Sequence, residues 1–356
     1  MGRDRDAVLR RRLATQRLVG RKLAQPEDAV RLLAAVQSQE YAHAFWSLGM
    51  RTRNTTFAEV KSAFDEGRIL RTHMLRTTWH FVTPEDIRWI LATTSPRVLT
   101  AFGSHFRSLG LETPTQEATG AQVVAMLEGG KALTRKEIGV GLTEQGVTLG
   151  GERLTYIVMG AELRGWICSG PMRGAQHTYM VLDERVPPGL LYEADAALAE
   201  IAFRFFAGHG PASLSDFTRW SKLTVADART GIAAAGDRLD EMEVDGQRLW
   251  FDPTAPKPRS VPLTAHLLPI YDEAWLTYPQ LNFDVAPGHP HPPDTELFTG
   301  PVVVGTRNVG TWRRTITGTK LRIETDLAPN LDDEHLAAIE QAVNRLRAFL
   351  GHSPKQ

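Results

Sequence analysis

Apolar positions recur at helical spacing in the first part of the chain and then yield to runs of β-branched and aromatic residues, a change of period that separates helices from strands. One helix is predicted from Ala7 to Leu18. A second starts at Pro26, whose fixed backbone angle suits a first helical turn, with Glu27 and Asp28 at the positive end of the dipole; it is predicted to run to about Gln37. A third, Phe57 to Glu66, stops at Gly67, and Arg68 to Val82 then reads as extended. Helices followed by a strand pair make a winged helix. The order returns with helices around Gln122 to Leu127, Thr134 to Leu142 and Gly151 to Arg164, followed by an extended pair from Trp166 to Val181. It returns again with helices near Tyr192 to Phe206, Ser213 to Trp220 and Thr224 to Ala235, then a hairpin from Glu241 to Phe251 around the turn signal Asp245-Gly246.

Beyond Pro253 the pattern changes to short β-type runs, Val302 to Val304, Val309 to Ile316 and Lys320 to Ile323, separated by glycines and closed by a helix from Asp332 to Leu350. The expected class is therefore α+β. Its divisions are a first winged helix over 1–95, a second over 96–187, a third over 188–255 and a small β domain over 256–356. The proline-rich segment Pro287 to Pro293 reads as a mobile loop, because proline prevents sheet and helix pairing.

Composition narrows the function classes. With 42% hydrophobic and 23% charged residues over 356 positions, the chain is too apolar for a disordered scaffold and long enough for several packed modules. Its 41 basic and 41 acidic residues cancel, so attraction to nucleic acid needs a local basic surface. The single cysteine, Cys168, forms no internal disulfide and no thiolate cluster, which fits a reducing compartment. No apolar run suits a signal peptide or a membrane span, so a cytoplasmic protein with no membrane partner is expected. His289 and His291 form a His-x-His pair without a firm third ligand, and no metal is expected. The glycines at Gly139, Gly141 and Gly146 do not match a phosphate-loop or dinucleotide spacing, so no cofactor is implied.

Four stretches resemble a known family. They are Ala35-Val36-Gln37-Ser38-Gln39 followed by Ala44-Phe45-Trp46-Ser47-Leu48-Gly49; Arg71 through Val82; Gly208-His209-Gly210-Pro211-Ala212 with Asp216 to Ser221; and His266-Leu267-Leu268-Pro269 with Tyr271-Asp272-Glu273. Gly310-Thr311-Trp312-Arg313-Arg314 fits as well. In this order they resemble the AlkZ/YcaQ type of winged-helix DNA glycosylase, bacterial proteins associated with resistance to alkylating and crosslinking natural products. The resemblance implies three winged helices and a terminal β-barrel-like domain around a DNA-binding channel. It also implies a catalytic Gln-x-Gln at Gln37 and Gln39, the two-glutamine form of the motif, although the middle residue, usually apolar, is here Ser38.

The residues themselves limit the chemistry. If the second helix continued, Gln37 and Gln39 would point in nearly opposite directions, whereas in an extended segment residues two apart share a side. Two carboxamides can hold a water and a sugar or phosphate oxygen, but neither is a strong base. By analogy with glycoside hydrolysis, breaking an N-glycosidic bond builds oxocarbenium-like charge. Neutral amides suffice only for an easy leaving group, such as a purine alkylated at N7, which departs neutral without a general acid. The plain alternative is that the pair caps a helix end. The implied partner is double-stranded DNA carrying alkylated purines, bound by a monomer.

Phosphate contacts are expected among Arg17, Arg21 and Lys22, Arg71 and Arg76 on the first wing, Arg164 and Arg173 on the second module, and Arg313 and Arg314 in the β domain, although solvated arginines cover every soluble surface. His80 and Asp272 are possible supporting residues. For Trp79-His80 packing is the favoured reading, for His209 a turn or helix cap, and for Asp272-Glu273 either a hydrogen-bond network or an exposed acidic turn. A non-catalytic winged-helix DNA-binding protein or transcriptional regulator is the competing class; it would bind undamaged duplex tightly and release no base.

Overall fold

The computed structural model describes residues 3–189, 191–288, 299–318 and 320–353. His289, His291 and most of the proline-rich segment lie outside the described residues. In chain order come α1 (Arg3–Thr15), α2 (Pro26–Leu33), β1 (Val36–Gln37), α3 (Tyr41–Arg51), α4 (Phe57–Asp65), β2 (Leu70–Met74) and β3 (Thr78–Val82). Next are α5 (Pro84–Ala101), α6 (Gly103–Ser108), α7 (Thr113–Leu127), β4 (Leu133–Thr134), α8 (Arg135–Glu144), α9 (Arg153–Leu163), β5 (Ile167–Ser169), β6 (Thr178–Val181) and α10 (Leu182–Arg185). α11 (Ala194–His209), β7 (Ala212–Ser213), α12 (Leu214–Ser221), α13 (Val225–Ala235), β8 (Asp240–Val244) and β9 (Gln247–Phe251) follow. The chain ends with β10 (Ala265–Leu267), α14 (Glu273–Leu276), β11 (Asp284–Val285), β12 (Gly300–Val304), β13 (Arg307–Thr317), β14 (Lys320–Leu327) and α15 (Asp333–Phe349). None of the described helices is long and apolar enough to cross a membrane.

These elements gather into two compact units, one of residues 1–61, 204–216 and 237–356, the other of 62–203 and 217–236. In the second unit Val123 and Leu127 of α7, Ile138 and Leu142 of α8, and Ile157 and Val158 of α9 form one apolar cluster with Ile167 of β5 and Val181 of β6. Burying each such side chain is worth ~1.5–3 kcal/mol, so the cluster carries most of the local stability. The small sheet beside it has the order β4-β6-β5. Helix α8 starts where it does because Thr134 and Glu137 cap it reciprocally, the Thr134 hydroxyl accepting from Glu137 N and the Glu137 carboxylate from Thr134 N. β2 and β3 pair antiparallel from Leu70↔Val82 to Met74↔Thr78.

The first unit contains a sheet of order β7-β9-β8, whose hairpin turns at Asp245 and Gly246, both with positive φ (50° and 72°), as an Asp-Gly turn of the primed type requires. Its larger sheet has the order β10-β12-β13-β11, with β14 also on β13. The barrel-like expectation for this region is corrected: no ring of pairing closes among the described residues. β13 loses β12 after Trp312↔Gly300 and continues with β14 alone as a two-stranded ribbon to Thr317↔Lys320. β10, the strand at the other end, is three residues long, too short to close on it. Alternating charges at Lys320, Arg322, Glu324 and Asp326 guard β14 against pairing with further chains.

Candidate active site

Helix α2 ends at Leu33, not near Gln37 as its apolar stripe suggests. Ala34, fully buried, takes φ 61° and ψ −46° and sends its N–H back to Arg31 O. A non-glycine residue at positive φ costs free energy and is held only when its surroundings over-determine it. Here the surroundings include Gly208, near the end of α11. A side chain at Gly208 would meet the Leu32 carbonyl oxygen inside van der Waals contact, so α11 lies against the last turn of α2 only because position 208 has no Cβ. After Ala34 the backbone is extended through Val36 and Gln37 and bends at Gln39. Both glutamines thus lie outside the helix. Gln37 is 7% exposed, Ser38 is buried and Gln39 is exposed.

The Gln37 N–H donates to Glu273 Oε1 at 3.0 Å. Glu273 is fully buried, and its Oε2 accepts from the Thr277 hydroxyl at 3.0 Å and lies 3.4 Å from His209 Nε2. His209 Nδ1 faces the Phe205 carbonyl at 3.1 Å. Glu273 opens α14, which Asp272 caps by accepting from Ala274 N at 2.9 Å. Asp272 is in turn gripped by Arg51 through two bonds of 2.8 Å and by the Ser47 hydroxyl at 2.6 Å. Arg51 also donates to Gln16 Oε1, Gln16 to the Tyr278 hydroxyl, and Tyr278 to the His209 carbonyl. A closed polar network thereby ties α1, α3, α11 and α14 to the segment carrying Gln37.

Asp272 lies in a hydrogen-bond network, one of the two readings of its sequence. It is 1% exposed, so it is no exposed acidic turn, and its acceptor sites are filled by two guanidinium donors, a hydroxyl and a backbone N–H. Four bonds saturate a carboxylate, leaving nothing for a substrate or water. It supports the site by bracing. Nor is His209 a simple turn former, being buried, stacked on Phe205 with centroids 4.8 Å apart.

The predicted basic contacts fare unequally. In the first unit Arg21 is exposed. Lys22 is not a free cation: its three N–H bonds go to the carbonyls of Arg17, Leu18 and Met50 at 2.7–2.8 Å, and burial, followed by the nearby Arg51 and Arg345, pushes its amine down to about 7. Arg17 is half-buried beside it, its carbonyl accepting one of those bonds. Arg313 is exposed and pairs with Glu324, its cross-strand neighbour, at 3.2 Å. Arg314 is on the opposite face of β13 and half-buried, its pKa lowered by burial. Beside it His43, stacked on Trp312, is pushed down to about 4 by burial and then by the Arg314 charge, and is neutral at pH 7.

In the second unit Arg71 is buried with its guanidinium 4.4 Å above the Trp79 ring, a packing cation in place of the phosphate contact expected. Trp79 also rests on His73, whose Nδ1 bonds the buried Glu162, so packing is the structural role here. Arg76 reaches Trp220 O and His80 Nε2, both at 3.4 Å. His80 is fully buried and its Nδ1 proton goes to Thr78 O at 2.8 Å, so it orients Arg76 and meets no solvent. Arg164 donates to Gly160 O and borders a cavity with Arg107 and Gln116. Arg173 is exposed and tied to Glu137 at 2.6 Å and to Ala132 O at 2.5 Å.

A family model described as DNA glycosylase AlkZ-like matches residues 30–349, a span that contains the glutamine segment and every member of the network except Gln16. The chain belongs to the AlkZ-like DNA glycosylase family. It is 25% identical over 249 residues to an interstrand DNA cross-link repair glycosylase of Streptomyces sahachiroi, covering 67% of each chain. Its fold is similar to the solved structure of the Streptomyces sahachiroi DNA glycosylase AlkZ, with TM-score 0.76 and 19% identity over 100% of this chain and 99% of that one.

Within this AlkZ-like chain the sequence reading missed Gln16, Ser47 and Arg51, and did not connect Glu273 to Gln37. Ser47 and Arg51 stand four apart on α3, and Arg51 Nη1 bonds the Ser47 hydroxyl at 2.8 Å, a helical spacing the sequence displays. Asp272 is too distant in sequence for spacing to reveal their common partner.

Proposed function

We propose that this chain hydrolyses the N-glycosidic bond of N7-alkylated purines in duplex DNA, as a monofunctional glycosylase that also unhooks interstrand crosslinks built on that bond. The carboxamides of Gln37 and Gln39 hold a water against the sugar. Its oxygen bonds to C1′ as the C1′–N9 bond breaks, the bond's electron pair neutralises the cationic base, and the water's spare proton passes to solvent. An abasic site remains. What supports this reading above all is that the carboxylate touching the segment, Glu273, is buried and engaged by the Gln37 N–H and the Thr277 hydroxyl, which leaves neutral amides as the reacting surface. Such a surface suits a leaving group that needs no general acid.

The crosslink arm rests on the name of the Streptomyces sahachiroi relative. We further propose three winged helices around a channel, with Arg21, Arg76 and Arg164 as phosphate contacts, and a monomer that protects its host from an alkylating natural product. The decisive experiment is base release from an oligonucleotide with a single 7-methylguanine, read by alkaline cleavage. Gln37→Ala is expected to lower single-turnover release ~100-fold, the scale of removing one positioned polar group, and Gln39→Ala at least tenfold. Equal rates for wild type and both variants would refute the assignment.

A further inference from the structure

We propose that the first unit holds a second site, independent of the glutamine segment, for a small hydrophobic carboxylate. A cavity of about 480 Å³ lies between the C-terminal half of α3, strand β10 and helix α15, within the range of small-molecule sites. Its apolar wall is built from Trp46 and Phe349, whose rings are 5.1 Å apart at 53°, with Leu18, Met50 and Leu267 beside them. The Trp46 indole N–H is already used on the Leu267 carbonyl at 2.8 Å, so this wall offers carbon and no donors.

The other wall has the opposite character. His266, the central residue of β10, is 5% exposed; its Nε2 is enclosed without a hydrogen-bond partner among the described residues. A buried polar atom left unbonded is costly, so its retention calls for a partner the protein itself does not supply. The cavity is also lined by Arg53 and Arg345, and by Lys22, whose N–H bonds are already spent on carbonyls; no acidic residue lines it. Arg53 and Arg345 are exposed at the rim; Arg345 spends one N–H on the Ala265 carbonyl at 2.6 Å and retains others. An imidazole and two arginines without a counter-charge, facing a mostly carbon wall, suit one ligand chemistry: a single carboxylate at the cationic end and an apolar body against Trp46 and Phe349. A larger anion with several charges would leave the carbon wall unused.

Calorimetry with 2-naphthoate and its uncharged counterpart 2-naphthamide tests the assignment on the full chain. Saturable binding of naphthoate at one site per chain is expected, at least tenfold tighter than naphthamide. Arg345→Gln, a change at an exposed position of α15, should weaken naphthoate about tenfold, and the His266 ring nitrogens should shift in ¹⁵N spectra on titration. No binding, equal binding of the two probes, or an unshifted His266 would overturn the proposal. So would a flat naphthoate titration accompanied by weaker binding of undamaged duplex in Arg345→Gln, which would make the cavity a phosphate contact. Base release from 7-methylguanine does not enter these readouts, so the site stands or falls apart from the glycosylase reading.

Discussion

The interior behind the glutamine segment and the core of the second unit are held together by different physics. Around Val123, Ile138, Leu142 and Ile157 the contacts are apolar and non-directional, and a lost methylene costs a graded amount. Behind Gln37 the partners are Gln16, Arg51, Asp272, Glu273, His209 and Tyr278, each placed by a bond with a preferred angle. A buried network of this kind is costly unless complete, and when complete it fixes orientation. Apolar packing stabilises a fold; aiming a single N–H requires the directional kind.

Substitutions should separate the two regions. The largest effect is expected for Asp272→Ala, which leaves the Arg51 guanidinium buried without its counter-charge; denaturant unfolding should show a loss of about 3–5 kcal/mol. A loss below 1 kcal/mol would mean that the network is not a unit. Leu142→Ala should cost ~2–4 kcal/mol as a cavity in the apolar cluster, yet leave base release per folded molecule unchanged. If release falls with it, the two regions do not differ as argued. Glu273→Gln keeps a carbonyl oxygen for the Gln37 N–H but removes the charge, and kcat should fall about tenfold with KM unmoved, equivalent to ~1.4 kcal/mol. A matching rise in KM would point to substrate binding in place of positioning.

The smallest effect concerns pH. His43 has its pKa lowered in the folded state to about 4 against an ordinary 6.5, so between these values the unfolded chain binds more protons than the folded one. Stability therefore falls as the solution is acidified from about pH 6.5 to 4 and is unaffected by this group above that window. His43→Phe, which preserves an aromatic ring against Trp312, should flatten the slope of the unfolding midpoint in that range. An unchanged slope would show that His43 titrates normally.

Much of this architecture was legible in the sequence. The period switch located β2 and β3, and Asp245-Gly246 located the β8–β9 turn, because turn chemistry is local. The helix expected from Thr134 is α8, for which Thr134 is the cap. Helix α3 was missed because it is buried nearly all round, from His43 to Leu48, and a helix without a solvent face has no stripe to read. The end of α2 was overestimated because Ala34 is an ordinary helix former, and its left-handed backbone is imposed by tertiary packing. Gln37 could be singled out, but its bracing by Glu273 could not. Lys22 and Arg71 have the residue type of phosphate contacts, but tertiary packing sets one on carbonyls and the other on an indole.

Gly208 carries a practical consequence. Since its bare backbone permits the last turn of α2 to rest where it does, the glutamine segment cannot be transplanted as a short peptide into another scaffold. A graft would need a distant stretch of chain, chemically silent and easily mistaken for a linker, to travel with it.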